Sequence, residues 1–257
     1  MRPRRGNVAA KGKTMQQRSR AVIWLLAVSA YALAGISLTA QQQPDFTGVW
    51  TTYNEPGVAP AGRGGGPPLP MKEEARRKVE SYQALVKPTG DTPGGYCLGT
   101  GMPGSMLGSG GYPMEIHQRP EQIIIVYEAH NEIRRVYLGD RIVAATDRLP
   151  GRNGHSSGRW DGNTLVVETT HLVEQVDQRY AHSANARLIE RYHLEKAKDG
   201  GDVLVAEMTM TDPDFYSEPV KAVKKWARVP NGHLLPYECA EENWLKRLEE
   251  LEQGAKK

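Results

Sequence analysis

The sequence predicts a mainly β domain, either an antiparallel up-and-down barrel or a barrel-like sandwich, with one or two peripheral helices. Strand-like runs with a two-residue apolar period fill most of the chain from 112 to 229. Consecutive runs are separated by short polar turns rather than by helices, which excludes a parallel sheet, because parallel strands need crossovers of a dozen or more residues. Helical periodicity is confined to two segments outside that region. A barrel is the simpler form for serial hairpins, since closure removes exposed strand edges.

The first strand lies within residues 41–53, where Phe46, Gly48 and Trp50 share one face. Its Gly-x-Trp resembles the opening strand of lipocalin-like barrels. Residues 54–111 are Pro/Gly-rich loops around one amphipathic helix. That helix starts at Pro70 with Glu73 and Glu74 in its first turn, and Met71, Ala75, Val79, Tyr82 and Val86 form its stripe. The Gly-rich stretch 99–111 would either cover a cavity or wrap a barrel end.

The main β domain, 112–240, holds hairpins around His130-Asn131, Asp161-Gly162 and Asp199-Gly200-Gly201. With strands near 112–118, 46–53 and 219–228 the total is about eight or nine. Residues 241–257 form a terminal helix and tail, with Trp244, Leu248 and Leu251 on one side.

The N-terminus places the protein. Arg18 and Arg20 precede an uncharged apolar run from Ala21 to Ile36 and a small residue at Ala40, so residues 1–40 read as a signal peptide. The run is shorter than the ~20 residues of a spanning helix. The expected location is periplasmic or secreted, with membrane contact only through that segment before cleavage. Residues 1–40 hold seven Lys or Arg and no acid, so the remaining 26 basic and 30 acidic groups leave a net charge of −4. With no polybasic stripe, nucleic acid is excluded as a natural partner.

Cys97 and Cys239 are the only cysteines. In an oxidising compartment such a pair is expected to join if the fold brings it together, the alternative being two reduced, buried thiols. No His-x-His, His-Glu-x-x-His or Cys-x-x-Cys motif calls for a metal, and no cofactor is implied.

If Asp161-Gly162 is a two-residue turn, His155 lies opposite Glu168, and His155, Ser157, Arg159 and Glu168 share one face of the hairpin. Turned inward, that face would form a catalytic trio, with His155 as acid or base, Glu168 fixing its tautomer and Arg159 stabilising negative charge. Turned outward, it would be a solvated surface. The opposite face carries Ser156, Gly158, Trp160, Leu165, Val167 and Thr169, so hydrophobicity alone leaves the lumenal side open. Glu190 interrupts the apolar set Leu188, Tyr192, Leu194 and needs a partner, for which Arg134 or Arg135 is available. Arg134, Tyr137, Trp160, His182 and Glu190 are the further candidates for lining a ligand pocket. Asp212, before Pro213, reads as a turn residue.

The strings Gly101-Met102-Pro103, Tyr112-Pro113-Met114-Glu115-Ile116, Arg134-Arg135-Val136-Tyr137, Gly154-His155-Ser156…Gly158-Arg159-Trp160…Gly162…Thr164-Leu165-Val166-Val167, His182-Ser183, Glu190-Arg191 and Asp212-Pro213 together resemble a widespread family of exported, β-rich bacterial proteins of unassigned activity. The resemblance covers about 150 of the residues after position 40. It implies export and a set of motif positions, among them His155, Arg159, Glu190 and Arg191, rather than a reaction. Glu168 departs from the Asp that such proteins often carry at the end of Val-Val-x-Thr.

Three functions follow: a barrel binding a small, partly apolar molecule beside Arg, His and Glu groups; a cofactor-independent lyase, isomerase or hydrolase using His155; or an envelope scaffold whose polar cluster only stabilises the barrel. The scaffold reading requires a packed interior.

Overall fold

A computed structural model describes residues 43–55, 57, 68–108 and 111–255. The signal segment, most of the Pro/Gly-rich loop after the first strand and the last two residues lie outside the described residues. Nine strands form one closed barrel in chain order: β1 Gly48–Thr52, β2 Met114–Arg119, β3 Gln122–Tyr127, β4 Glu132–Leu138, β5 His155–Asp161, β6 Thr164–Thr170, β7 Arg187–Lys196, β8 Asp202–Thr211 and β9 Val220–Val229. The helices are α1 Glu73–Val86, the single turn α2 Gly104–Leu107, and α3 Cys239–Ala255. The predicted barrel with peripheral helices is therefore present.

One pairing departs from an up-and-down barrel. β9 closes on β1 antiparallel, and a ring of nine strands cannot alternate direction throughout, so one pair must run parallel. It is β4 and β5, which align Val136 with Ser156 and Leu138 with Gly158. Residues 139–154 supply the connection that a parallel pair requires, using short 3-10 turns in place of a helix.

The period-two pattern separates inside from outside. Trp50, Met114, Ile116, Ile123, Ile125, Tyr127, Val136, Leu138, Leu165, Val167, Leu188, Leu204, Met208, Met210 and Trp226 are all buried and belong to one core cluster. A barrel of this size has an interior that side chains just fill. The Gly-rich segment after Cys97 inserts Met102 and Met106, both fully buried, into the core.

Gly48 and Trp50 explain the opening motif. Trp50 donates its indole N–H to Phe46 O at 2.8 Å, and the Arg228 guanidinium lies 4.4 Å over its ring. A Cβ on Gly48, whose φ is +128°, would stand 3.1 Å from Arg228 Nη1. The missing side chain admits the guanidinium, which donates to Thr47 O and Asp45 O and ties β9 to the chain entering β1.

Cys97 and Cys239 form a disulfide, with Cα atoms 5.6 Å apart across 142 residues of sequence. It fastens the root of α3 to the turn Pro93–Tyr96, and Asn243 Nδ2 adds a 3.1 Å hydrogen bond to Gly95 O. In the chain-entropy model a closed loop of that length stabilises by about 5 kcal/mol. Urea unfolding of the oxidised protein and of the Cys97→Ser/Cys239→Ser variant is expected to differ by several kcal/mol; coincident curves would refute a stabilising bridge.

Candidate functional site

The polar groups that converge inside the barrel come from four strands. β4 places Arg134 inward between the apolar Val136 and the barrel end, β5 contributes Ser156, β6 Thr169, and β7 Glu190 and Tyr192. All five are buried, Arg134 and Glu190 almost completely. Arg134 forms a bidentate ion pair with Glu190: Nη1 donates to Oε1 at 3.1 Å and Nη2 to Oε2. Its Nε donates to Ser156 Oγ at 3.1 Å, Nη2 also to Thr169 Oγ1 at 2.8 Å, and Nη1 also to Tyr192 OH at 3.3 Å. Tyr192 donates in turn to Glu190 Oε1 at 3.0 Å, while Ser156 and Thr169 share a 2.8 Å bond.

A guanidinium has five N–H donors, and every one of Arg134's is satisfied by the protein itself. Burial works against its charge, but Glu190 and Tyr192 outweigh burial, and its pKa stands well above the ordinary arginine value. Burial likewise pushes the phenols of Tyr192 and Tyr127 up, so both stay protonated.

The predicted partner of Glu190 is thus Arg134. It reaches across the lumen from β4 rather than from a strand adjoining β7, whose neighbours are β6 and β8. Ser156 and Thr169 were not among the candidates, although their two-residue register with Gly158, Leu165 and Val167 was the available signal. Lys224 was missed too. It alternates with the exposed Val223, sits inward between Ala222 and Trp226, and donates to Thr52 Oγ1 at 3.0 Å; burial lowers its pKa.

The expected catalytic trio lies on the other face. The hairpin turn is Gly162-Asn163, with Asp161 opposite Thr164, so Glu168 faces Ser157 and His155 faces Thr170. The two-residue slip from the predicted register preserves the faces and changes the partners. Glu168 lies outside and accepts from Arg187 Nε at 2.5 Å, both side chains about half exposed. Arg159 is exposed on the same outer surface. His155 is covered without entering the lumen: its ring stacks on Tyr137 at 5.0 Å and 11°. Burial, with Arg148 and His171 nearby, lowers its pKa.

The remaining candidates are structural in their contacts. Trp160 packs on Phe46, ring centroids 5.4 Å apart. His182 is fully buried in the 172–186 loop, its backbone paired with Gln175 and its Nδ1 3.0 Å from Tyr180 O. Burial lowers its pKa more than Tyr180 O and Asp212 raise it. Asp212 is the turn residue the sequence suggested, accepting from Ser183 N and Oγ and from the backbone N–H groups of Asp214 and Phe215.

The glycines of the Gly-His-Ser motif have local causes. Gly154 has φ +58°, and a Cβ there would stand 2.5 Å from Thr170 O. A Cβ on Gly158 would meet Val136 and Leu138 at 2.8 Å, where β4 and β5 run parallel. The motif therefore encodes a barrel wall, with Ser156 between the two glycines reaching Arg134.

Among the described residues no group of three or more His, Cys, Asp or Glu is arranged to hold a metal, and no helix is long and apolar enough to cross a membrane. Outside the barrel a half-open cleft of about 440 Å³ lies beside α1, lined by Lys72, Glu74, Lys78, Glu174, Asp214 and Phe215 among others. Lys78 donates to Glu174 at 2.7 Å across it and lies 5.4 Å over the Phe215 ring. Compared with known proteins, the chain matches no family model and no curated sequence.

Two measurements follow from the buried network. Arg134→Met or Glu190→Leu alone strands a buried charge and is expected to cost about 3 to 5 kcal/mol, whereas the double variant recovers most of that loss. Glu168→Ala should cost no more than about 1 kcal/mol. Denaturant unfolding of all four variants checks the pattern; a double variant as unstable as the singles contradicts it.

The histidines set a pH dependence. An imidazole whose pKa is lowered by folding binds fewer protons in the folded state, so its contribution is complete above the unfolded pKa of about 6.5 and is lost as pH falls below it. The melting temperature should therefore drop between about pH 7 and pH 5, a window above the range where surface carboxylates titrate. His182→Gln should flatten that slope; an unchanged slope would assign the effect elsewhere.

Proposed function

We propose that this chain is an exported envelope scaffold, a rigid barrel that works through its outer surface rather than through its lumen. The observation that carries this reading is the saturation of Arg134: with all five donors bound to Glu190, Tyr192, Ser156 and Thr169, none is left for a ligand. The packed interior around Trp50, Trp226, Met102 and Met106 supports it further. The enzymatic reading loses its dyad, because Glu168 is engaged by Arg187 and Thr170 lies opposite His155. Export is supported by the basic-then-apolar N-terminus and by the resemblance to exported bacterial proteins. A disulfide-bonded barrel suits the same oxidising compartment.

Small-molecule binding remains a second reading because of the cleft beside α1. Its volume of about 440 Å³ falls within the range of ligand sites. Its lysines and carboxylates fit a polar or zwitterionic molecule better than the partly apolar one first expected.

Native mass spectrometry of protein purified from its own periplasm tests the proposal. The expected mass is that of the oxidised polypeptide alone. A stoichiometric small molecule that survives purification and is lost in Lys78→Ala would favour the cleft, and one lost in the Arg134→Met/Glu190→Leu variant would overturn the closed lumen.

A further inference from the structure

The C-terminal helix α3 is anchored at one end and bare along its length. Its root is held by the Cys97–Cys239 disulfide and by Asn243, which donates to Gly95 O. From Ala240 to Leu251 every residue is exposed. Trp244, Leu248 and Leu251 recur at helical spacing with Leu245 beside them, and their exposures are 59, 37, 49 and 52%. At 100° per residue Trp244, Leu248 and Leu251 lie about 80 to 140° around the helix from Asn243. The apolar seam is therefore on a different flank of the helix from the anchoring Asn243, and all of its side chains are exposed.

Such an arrangement is unfavourable for a helix with nothing to bind. In proteins most of a helix's stability comes from packing its apolar face, and a contiguous exposed group of one Trp and three Leu marks an interaction surface. The disulfide fixes where that surface stands, which lowers the ordering cost of an encounter.

Charge selects the occupant. The Cys239–Ala255 segment contains five Glu against one Lys and one Arg. A second copy would bring the same negative excess to the same face, and the anionic headgroups of a membrane surface would be repelled likewise. We propose that the Trp244, Leu248, Leu251 seam docks a helical segment of another envelope protein that carries an apolar stripe flanked by lysines or arginines. The mode is helix against helix, with Trp244 as the buried anchor and the glutamates meeting the basic flanks. This partner class rests on the reading of the barrel as a scaffold.

The test uses the full exported chain with its disulfide intact. Its probes are a synthetic amphipathic Leu/Lys helical peptide, the Leu/Glu counterpart, and phosphatidylglycerol/phosphatidylethanolamine vesicles. Calorimetry is expected to show saturable, one-to-one binding of the Leu/Lys peptide, weakened by salt, with neither of the other probes bound. The Trp244→Ser/Leu248→Ser variant, which keeps every charge, should bind roughly tenfold or more weakly. Its urea unfolding should match that of the native chain, because the substituted side chains are exposed.

Equal binding of the Leu/Lys peptide by native and variant protein would reduce the interaction to bulk charge and overturn the proposal. So would the absence of binding, a preference for vesicles, or dimerisation of the native chain that the variant abolishes. The scaffold reading fails separately, by a small molecule found in the purified protein, so each result refers to only one of the two claims.

Discussion

The ion pair between Arg134 and Glu190 spans the inside of the barrel and constrains most of what surrounds it. Two charges removed from water are tolerable only with near-complete hydrogen bonding. That requirement fixes the hydroxyls of Ser156, Thr169 and Tyr192 around them. Those hydroxyls in turn fix the inward face of β5, β6 and β7, since a one-residue slip in any of them would replace a hydrogen-bonding group by a residue meant for the outer surface. The pair is better understood as setting the register of the strands than as adding much net stability, because a buried ion pair is often no more stabilising than apolar residues of similar volume.

The outer surface is organised on different terms. Its charge pairs, such as Glu168 with Arg187, Lys196 with Asp202 and Lys225 with Glu195, are solvated and short in reach. They are individually worth little. His155 and Tyr137 are the exception, a flat stacked pair of which His155 is buried. The motif that looked chemical in sequence is thus divided by the wall, with its serine and glycines serving the core and its charged members the exterior.

How much of this was legible in the chain depended on whether a local signal existed. Strand positions were clear because alternation is local: Ile123, Ile125 and Tyr127 on one side of β3 require no knowledge of the rest, whereas the turn expected at Asp161-Gly162 falls at Gly162-Asn163. The need for a partner at Glu190 was equally visible, since a carboxylate among Leu188, Tyr192 and Leu194 must be paired. What could not be seen was the direction in which the Gly154–Thr170 hairpin faces. Both of its sides mix small, polar and apolar residues, and only Arg134, arriving from another strand, distinguishes the side with Ser156 and Thr169. The parallel pairing of β4 with β5 was hidden for a related reason, because the connecting segment 139–154 contains no long helix to announce a crossover. Lys224 escaped notice because a lysine in an amphipathic strand is ordinarily assigned to water.

The odd strand count carries an evolutionary consequence. A ring that already contains one like-directed seam tolerates gain or loss of a whole hairpin, since two strands leave every other direction unchanged. Gain or loss of a single strand would force another seam or remove the existing one, and the chain would have to invent or discard a long connection in the same step. Descendants of this barrel should therefore differ in size by pairs of strands. The stretch bridging β4 and β5 has to keep its span, and within it Arg152, bonded to Gly99 O, Thr100 O and Asp177, and Gly154, with φ +58°, hold its path in place.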